Sequence, residues 1–299
     1  MLSTWLNQRL TPANRGLLNM VVACFWFSIM NASVFALQQL DTSLQFAEIS
    51  FFRILINLLI LLFTAIYLGQ LRPLLGDGRP SLWLRGLFGA TALMLAFAAI
   101  ARIGPGETAF LGASNAVFVA LLSPMLIQQK NSLLAWIAII GSFIGIALLL
   151  SPQPGNDLLG QSMALGSGFL GALAYLMIAR TGNSHSPQTV IFYFCAVALL
   201  LHLLYFSFAE FNLPQRWDVL SILLLIGCSG SAAQQFMTRA YQTAPATLVS
   251  AVAYLGPVLT SVWDVMWFDR QATINTILGA MIMLVFGVLL PFIKNQRPN

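Results

Sequence analysis

Ten apolar runs, each about long enough to cross a bilayer, follow one another through the chain: residues 17–39, 46–68, 83–101, 108–127, 133–150, 158–178, 189–208, 219–237, 246–268 and 274–293. A hydrocarbon core about 30 Å thick takes roughly 20 helical residues at 1.5 Å each. Lipid offers the backbone no hydrogen-bond partner, so only helices and closed barrels span it. None of the runs alternates with the period of two that barrel strands show. The fold class is therefore all-α integral membrane, with ten transmembrane helices. Charged residues make up only 8% of the chain, where soluble domains carry about a quarter, and mean hydropathy is +0.83.

The runs form two sets of five whose last two members resemble each other. Residues 101–152 contain ARIGPGETAFLGASNAVFVALLSP, a polar break with Lys130, and WIAIIGSFIGIALLLSP. Residues 240–292 contain AYQTAPATLVSAVAYLGPVLTSVWDVMWF, a break with Asp269 and Arg270, and TILGAMIMLVFGVLLPF. Five is odd, so two tandem copies enter the membrane from opposite sides. The chain is thus expected to form two inverted five-helix repeats, 1–155 and 156–299, joined by the turn-rich SPQPGND of residues 151–157. Inverted repeats are a common plan for secondary transporters.

The position of each charge sets the topology. With the N-terminus inside, the cytoplasmic side carries ten basic residues: Arg9, Arg15, Arg72, Arg79, Arg85, Lys130, Arg180, Arg239, Lys294 and Arg297. The opposite side carries three, Arg102, Arg216 and Arg270. That bias predicts an inner-membrane protein with both termini cytoplasmic, and the net charge of +5 then requires no nucleic-acid partner. The acids Asp41, Glu107, Asp157, Glu210, Asp218 and Asp269 fall near the outer ends. The first run follows a basic polar leader with no cleavage signal, as an uncleaved signal anchor does.

Several function classes lose support. The loops are too short for a soluble domain and no G-x-x-x-x-G-K motif occurs, which argues against ATP-driven pumping by this chain alone. Cys24, Cys195 and Cys228 lie within apolar runs without metal-ligand spacing; no metal or cofactor is expected. A lipid-processing enzyme needs clustered acids, histidines or a nucleophile with its base, and the two histidines are far apart. A passive channel calls for charge rings or a repeated filter motif, and neither occurs.

Small residues mark close helix contacts: Gly141 and Gly145 in the fifth run, Gly279 and Gly287 in the tenth, and Ser167 with Gly171 in the sixth. The fifth and tenth runs are almost without polar residues, so they are expected at the periphery, against lipid or a second subunit in a homodimer.

Polar side chains in a bilayer tend to face the bundle interior. In the ninth run Ser250, Tyr254, Pro257, Ser261, Asp264 and Phe268 share one helical stripe, and Gly256 with Pro257 predicts a hinge. The eighth run aligns Gly227, Ser231, Gln234 and Thr238, with Gln235 beside them. The first aligns Ser28, Asn31, Phe35 and Gln38; the fourth aligns Glu107, Ser114 and Phe118, with Asn115 adjacent. Tyr175 and His202 add polar groups to the sixth and seventh. Amides and hydroxyls can hold a polar metabolite through donors and acceptors; an interhelical hydrogen bond is the alternative for each taken singly.

Arg53 is the sharpest candidate. It lies seven positions into the second run, about 10 Å along the axis, with Asn57 one turn further on. It is expected to bind an anionic substrate group or balance a carboxylate, against the alternatives of a structural ion pair or snorkelling. Asp264, between Trp263 and Trp267, is a candidate for proton or cation coupling or for an interfacial belt; Glu107 and His202 are the other coupling candidates, His202 with the alternative of a packed, hydrogen-bonded side chain.

These residues resemble the drug/metabolite transporter superfamily, in its EamA-like branch with two five-helix repeats. The resemblance covers nearly the whole chain and is strongest in AYQTAPATLVSAVAYLGPVLTSVWDVMWFD with GAMIMLVFGVLL; EISFFRILINLLILL is similar to the family's arginine after an aromatic pair, at Arg53. It implies a central cavity lined by runs one to four and six to nine, with five and ten peripheral. The chain departs at Ala116, where relatives often carry a proline corresponding to Pro257, so the fourth run is expected to lack the kink. It also departs at Asp269, where many carry glutamate. FFR with GPGETAFLGASNAVFVALLS looks somewhat like members carrying S-adenosylmethionine or related nucleoside-like metabolites. The resulting expectation is a secondary transporter of a small polar organic metabolite working by alternating access, with export favoured. Its substrate site is expected at Asn31, Arg53, Asn57, Ser114, Asn115, Tyr175, Gln234, Gln235 and Tyr254.

Overall fold

The structure, a computed structural model, describes residues 11–128, 157–268 and 274–292, plus 133, 136, 137, 140, 141, 144, 145 and 148. At 264, 275, 276, 283 and 287–292 it describes the backbone alone. Among these residues every regular element is helical. The helices are α1 (Pro12–Leu40), α2 (Phe46–Tyr67), the short α3 (Leu71–Leu75), α4 (Pro80–Ile103), α5 (Pro105–Gly112), α6 (Asn115–Leu126), α7 (Leu158–Thr181), α8 (Pro187–Phe206), α9 (Trp217–Thr243), α10 (Ala246–Val252), α11 (Leu255–Phe268) and α12 (Ile274–Phe292). Taking α5 with α6 and α10 with α11, eight segments are long and apolar enough to cross a membrane. The fifth predicted run lies largely outside the described residues, and the tenth corresponds to α12.

The helix starts are written locally. Proline opens α1, α4, α5 and α8, where its missing N–H costs no intrahelical bond. Thr11 caps α1 by accepting from the Asn14 amide at 3.3 Å, and Ser186 caps α8 by accepting from Thr189 at 3.2 Å. The Asp157 carboxylate accepts from the Gly160 amide at 3.0 Å at the start of α7. Gly104 has φ +84°, open to glycine without strain, which lets α4 reverse directly into α5.

Helix pairing follows the sequence repeat. The two most extensive pairings, α1 with α9 and α4 with α7, are exchanged when one five-run set is laid on the other. Gly141 of the fifth run lies against the Phe286 ring of α12: a Cβ there would come within 2.4–2.5 Å of it, so the two runs meet within one chain.

Ion pairs tie the loops at each end. Asp77 binds Arg79 at 2.6 Å and His185 at 3.0 Å, joining the loops before α4 and α8; the hydrogen bond from Arg79 pulls the pKa of the Asp77 carboxyl down to about 2. At the other end Arg102 binds Asp157 at 2.6 Å and Arg216 binds Asp218 at 2.5 Å.

Candidate functional site

A cavity of about 200 Å³ lies at the centre of the bundle, lined from α1, α2, α4, α5, α6, α7, α8, α9 and the α10–α11 junction with its following turn. On α4 its wall runs from Arg85 to Ile100, about 22 Å of helix. α1 contributes Met20, Cys24, Phe27, Met30 and Asn31, one face of a continuous helix.

Two arginines dominate its chemistry. Arg53 is 1% exposed and Arg85 2%, and both line the cavity. The guanidinium carbon of Arg53 sits 5.3 Å from the Phe194 ring centroid and that of Arg85 4.7 Å from the same centroid. One aromatic ring thus meets both cations. Nε and Nη1 of each arginine have no hydrogen-bond partner among the described residues. Glu48, five residues before Arg53, accepts instead from the amides of Gln45 (2.9 Å) and Asn212 (3.3 Å), capping its own helix and anchoring a loop.

Arg85 corrects the sequence reading, which counts it among the cytoplasmic loop charges and starts the third run at residue 83. The helix begins at Pro80, so Arg85 enters the bundle and the inward basic count falls to nine. Proline at the first helical position is the sequence signal that could have shown this. Two glycines clear room for the guanidiniums. A Cβ on Gly89 would collide with Nη1 of Arg85, and one on Gly230 would come within 2.9 Å of Arg53 Nε and 3.0 Å of Met30 Sδ.

Asn31, Arg53, Asn115, Tyr175 and Gln234 line the cavity together. Asn115 Oδ1 and Gln234 Nε2 lack partners among the described residues, leaving an acceptor and a donor free. Tyr175 stacks on Tyr241 at 4.7 Å, and Tyr241 shares a 2.9 Å hydrogen bond with Ser250. The other expected site residues lie elsewhere. Asn57 is buried one turn beyond Arg53 but does not line the cavity. Ser114 packs against Gly168. Gln235 points off the cavity, and Tyr254 is buried in a core cluster with Phe110 and Ala280.

Two of the coupling candidates, Glu107 and His202, are also outside it. Glu107 accepts from Gln161 Nε2 at 2.7 Å. His202 donates Nδ1 to the Ala198 carbonyl at 2.7 Å and meets Ser50 Oγ at 3.0 Å, on the seam of α8 and α2. The Asp264 side chain lies outside the described residues.

The helix breaks explain why the ninth-run stripe is displaced. α10 stops at Val252 and α11 starts at Leu255; Tyr254 donates to Ala251 and Gly256 to Ala253, three residues back instead of four. That tighter winding rotates the remainder of the run, so Ala253, Gly256, Pro257 and Thr260 face the cavity. Pro257, with no N–H, cannot restore the lost bond, and the Cys24 thiol lies 3.8 Å from the carbonyls of Val252 and Ala253. The predicted Gly256–Pro257 hinge falls at this break.

The fourth run breaks too, against the expectation drawn from Ala116. Ser114 donates to Leu111 and Ala116 to Ala113, the same pattern at the corresponding place between α5 and α6. Here no proline is needed: Gly112 is a weak helix former, and α5 and α11 pack side by side.

The EamA-like transporter family model matches this chain twice, over residues 14–151 and 158–292. The chain belongs to the EamA-like transporter family. It is similar to the pseudopaline exporter CntI of Pseudomonas aeruginosa, 28% identical over 92% of this chain and 95% of that protein. It is also similar to solute carrier family 35 member G1 of Mus musculus, 26% identical over 90% of this chain and 76% of that one, and to the S-adenosylmethionine uptake transporter of Rickettsia prowazekii, 24% identical over 88% and 89%. A crystal structure with 14% identity matches 96% of the chain with TM-score 0.71, which shows the fold. This EamA-like chain is a multi-pass membrane transporter of small molecules, and the family and relatives' names point away from an enzyme.

Proposed function

We propose that the protein is a secondary transporter moving a small polar organic metabolite across the inner membrane by alternating access, with export the favoured direction. Both termini are cytoplasmic in this reading, since nine basic residues against three lie on that side. The observation that carries it is the central cavity. Both five-run sets line it, the broken helices of runs four and nine reach it, and it holds unpartnered polar atoms where a solute would sit. Two halves that pack alike around one site can rock between inward and outward access. The Pseudomonas aeruginosa relative is named an exporter, which favours export; the Rickettsia prowazekii relative is named for uptake of S-adenosylmethionine, and this keeps uptake or exchange of such a solute as the second reading.

Reconstitution in proteoliposomes tests the proposal. Saturable counterflow of a labelled metabolite, accelerated by unlabelled solute on the far side, is the expected result; flux that rises linearly with concentration belongs to a channel and sinks the carrier reading.

A further inference from the structure

We infer that the solute taken by this cavity carries two anionic groups, one for Arg53 and one for Arg85, on a partly apolar body. The inference rests on the transporter reading above and adds the substrate class to it. Because both guanidinium carbons lie near the one Phe194 centroid, at 5.3 and 4.7 Å, they are at most about 10 Å apart. Two cations that close, both buried, repel each other and have lost most of their hydration. Neither has an ion-pair partner among the described residues. Glu48 is engaged by backbone amides, Glu107 by Gln161, Asp41 by Ser43, and Asp77, Asp157 and Asp218 by Arg79, Arg102 and Arg216.

None of these carboxylates compensates the pair, so the charge that does is assigned here to the solute. A single carboxylate placed on one guanidinium leaves the other buried and uncompensated, whereas two anionic groups answer both. Each guanidinium can take a carboxylate through two parallel N–H bonds, on its Nε–Nη2 or its Nη1–Nη2 edge, and Nε and Nη1 of both, one donor of each edge, have no partner among the described residues. Gly89 and Gly230 leave space for the two heads and no larger residue would. Around them Asn31 and Gln234 offer amides, while Phe27, Leu93 and Phe97 offer apolar wall to the rest of the solute. A cationic centre, such as a sulfonium, is repelled where it lies beside this pair.

The test uses thermal stability of the purified full-length protein, since a ligand of the folded state raises its apparent melting temperature. The probes are succinate, glutarate, adipate and glutamate, with phosphate, acetate, butyrate and chloride as comparison at equal ionic strength. The inference expects a saturable upward shift with at least one dicarboxylate and none with acetate, butyrate or chloride. Arg85→Gln and Arg53→Gln should each raise the half-saturating concentration at least about thirtyfold, as losing one partner of a buried charge pair does. Without ligand both variants should melt no lower than the parent, because an uncompensated buried cation has been removed. If Arg53→Gln does not fold, Arg53→Lys, which keeps the charge and loses the fork, should give an intermediate half-saturation.

Failure of every dicarboxylate to shift the melt overturns the inference. So does an equal shift by acetate or chloride, a shift by phosphate alone, or one that survives Arg85→Gln. Saturable counterflow of a neutral or cationic metabolite, unchanged in Arg85→Gln, overturns this inference and leaves the transporter reading standing; absence of saturable counterflow for any solute removes both.

Discussion

Gly89 shows how closely a single residue can tune this cavity. On an ordinary helix, glycine to alanine stabilises by roughly 0.5–1 kcal/mol through backbone entropy. Here the added methyl would take the place occupied by the Arg85 guanidinium, the movable end of a long side chain. Gly89→Ala is therefore expected to leave the fold intact, with a melting temperature equal to or above the parent's, while weakening dicarboxylate stabilisation by about tenfold, or about 1.4 kcal/mol. A thermal-shift titration of the variant checks both halves, and unchanged ligand affinity would mean that Arg85 does not touch the solute. Arg53 was legible in the sequence because, seven positions into an apolar run, it lies too deep to read as a loop charge. Arg85 was not, because as the sixth residue of its helix it reads equally well as a loop charge, and only the packing of α4 against α7 and α8 turns it inward.

At the scale of elements, the two broken helices govern which residues face the cavity. The polar stripe of the ninth run assumes unbroken 3.6-residue periodicity. The three-residue hydrogen bonds at Tyr254 and Gly256 reset that periodicity, so Tyr254 goes to the core and Thr260 to the cavity wall. On the continuous α1 the stripe is displaced as well: of its members only Asn31 belongs to the lining, while Phe35 packs in a core cluster and Ser28 donates to the Phe25 carbonyl at 2.8 Å and accepts from Trp263 at 3.1 Å. Pro257→Ala returns a donor for the Ala253 carbonyl and favours fusion of α10 with α11. The expected outcome is a higher melting temperature, with a gain below the roughly 3 kcal/mol that proline costs in a helix interior, and a lower maximal counterflow rate at similar half-saturation. Initial-rate counterflow over a concentration series, paired with a thermal melt, measures this; an unaltered rate would remove the break from the transport cycle.

At the scale of the whole molecule, the repeat pairs α1 with α9 and α4 with α7 around one cavity, and the ion pairs sort the loops into two ends. Asp77 and His185 meet at one end, Arg102 and Asp157 at the other. The charge bias predicts which end is cytoplasmic. In a background with the exposed Cys228 changed to serine, the exposed positions Leu213 and Leu75 serve as reporters. A membrane-impermeant maleimide on intact cells should label Leu213→Cys and spare Leu75→Cys until the cells are permeabilised. The reverse pattern would invert the assigned topology.

The sequence by itself determined the membrane environment, the helical class, the tandem relation of its two halves and the depth of Arg53, because run length, hydropathy and repeat similarity are local properties of the chain. The tertiary structure alone decided that Arg53 of α2 and Arg85 of α4 converge on Phe194 of α8, that Gly89 and Gly230 make room for them, and that Glu107 and His202 are engaged away from the cavity. Those facts are distances between side chains on different helices, and no periodicity along one helix encodes them.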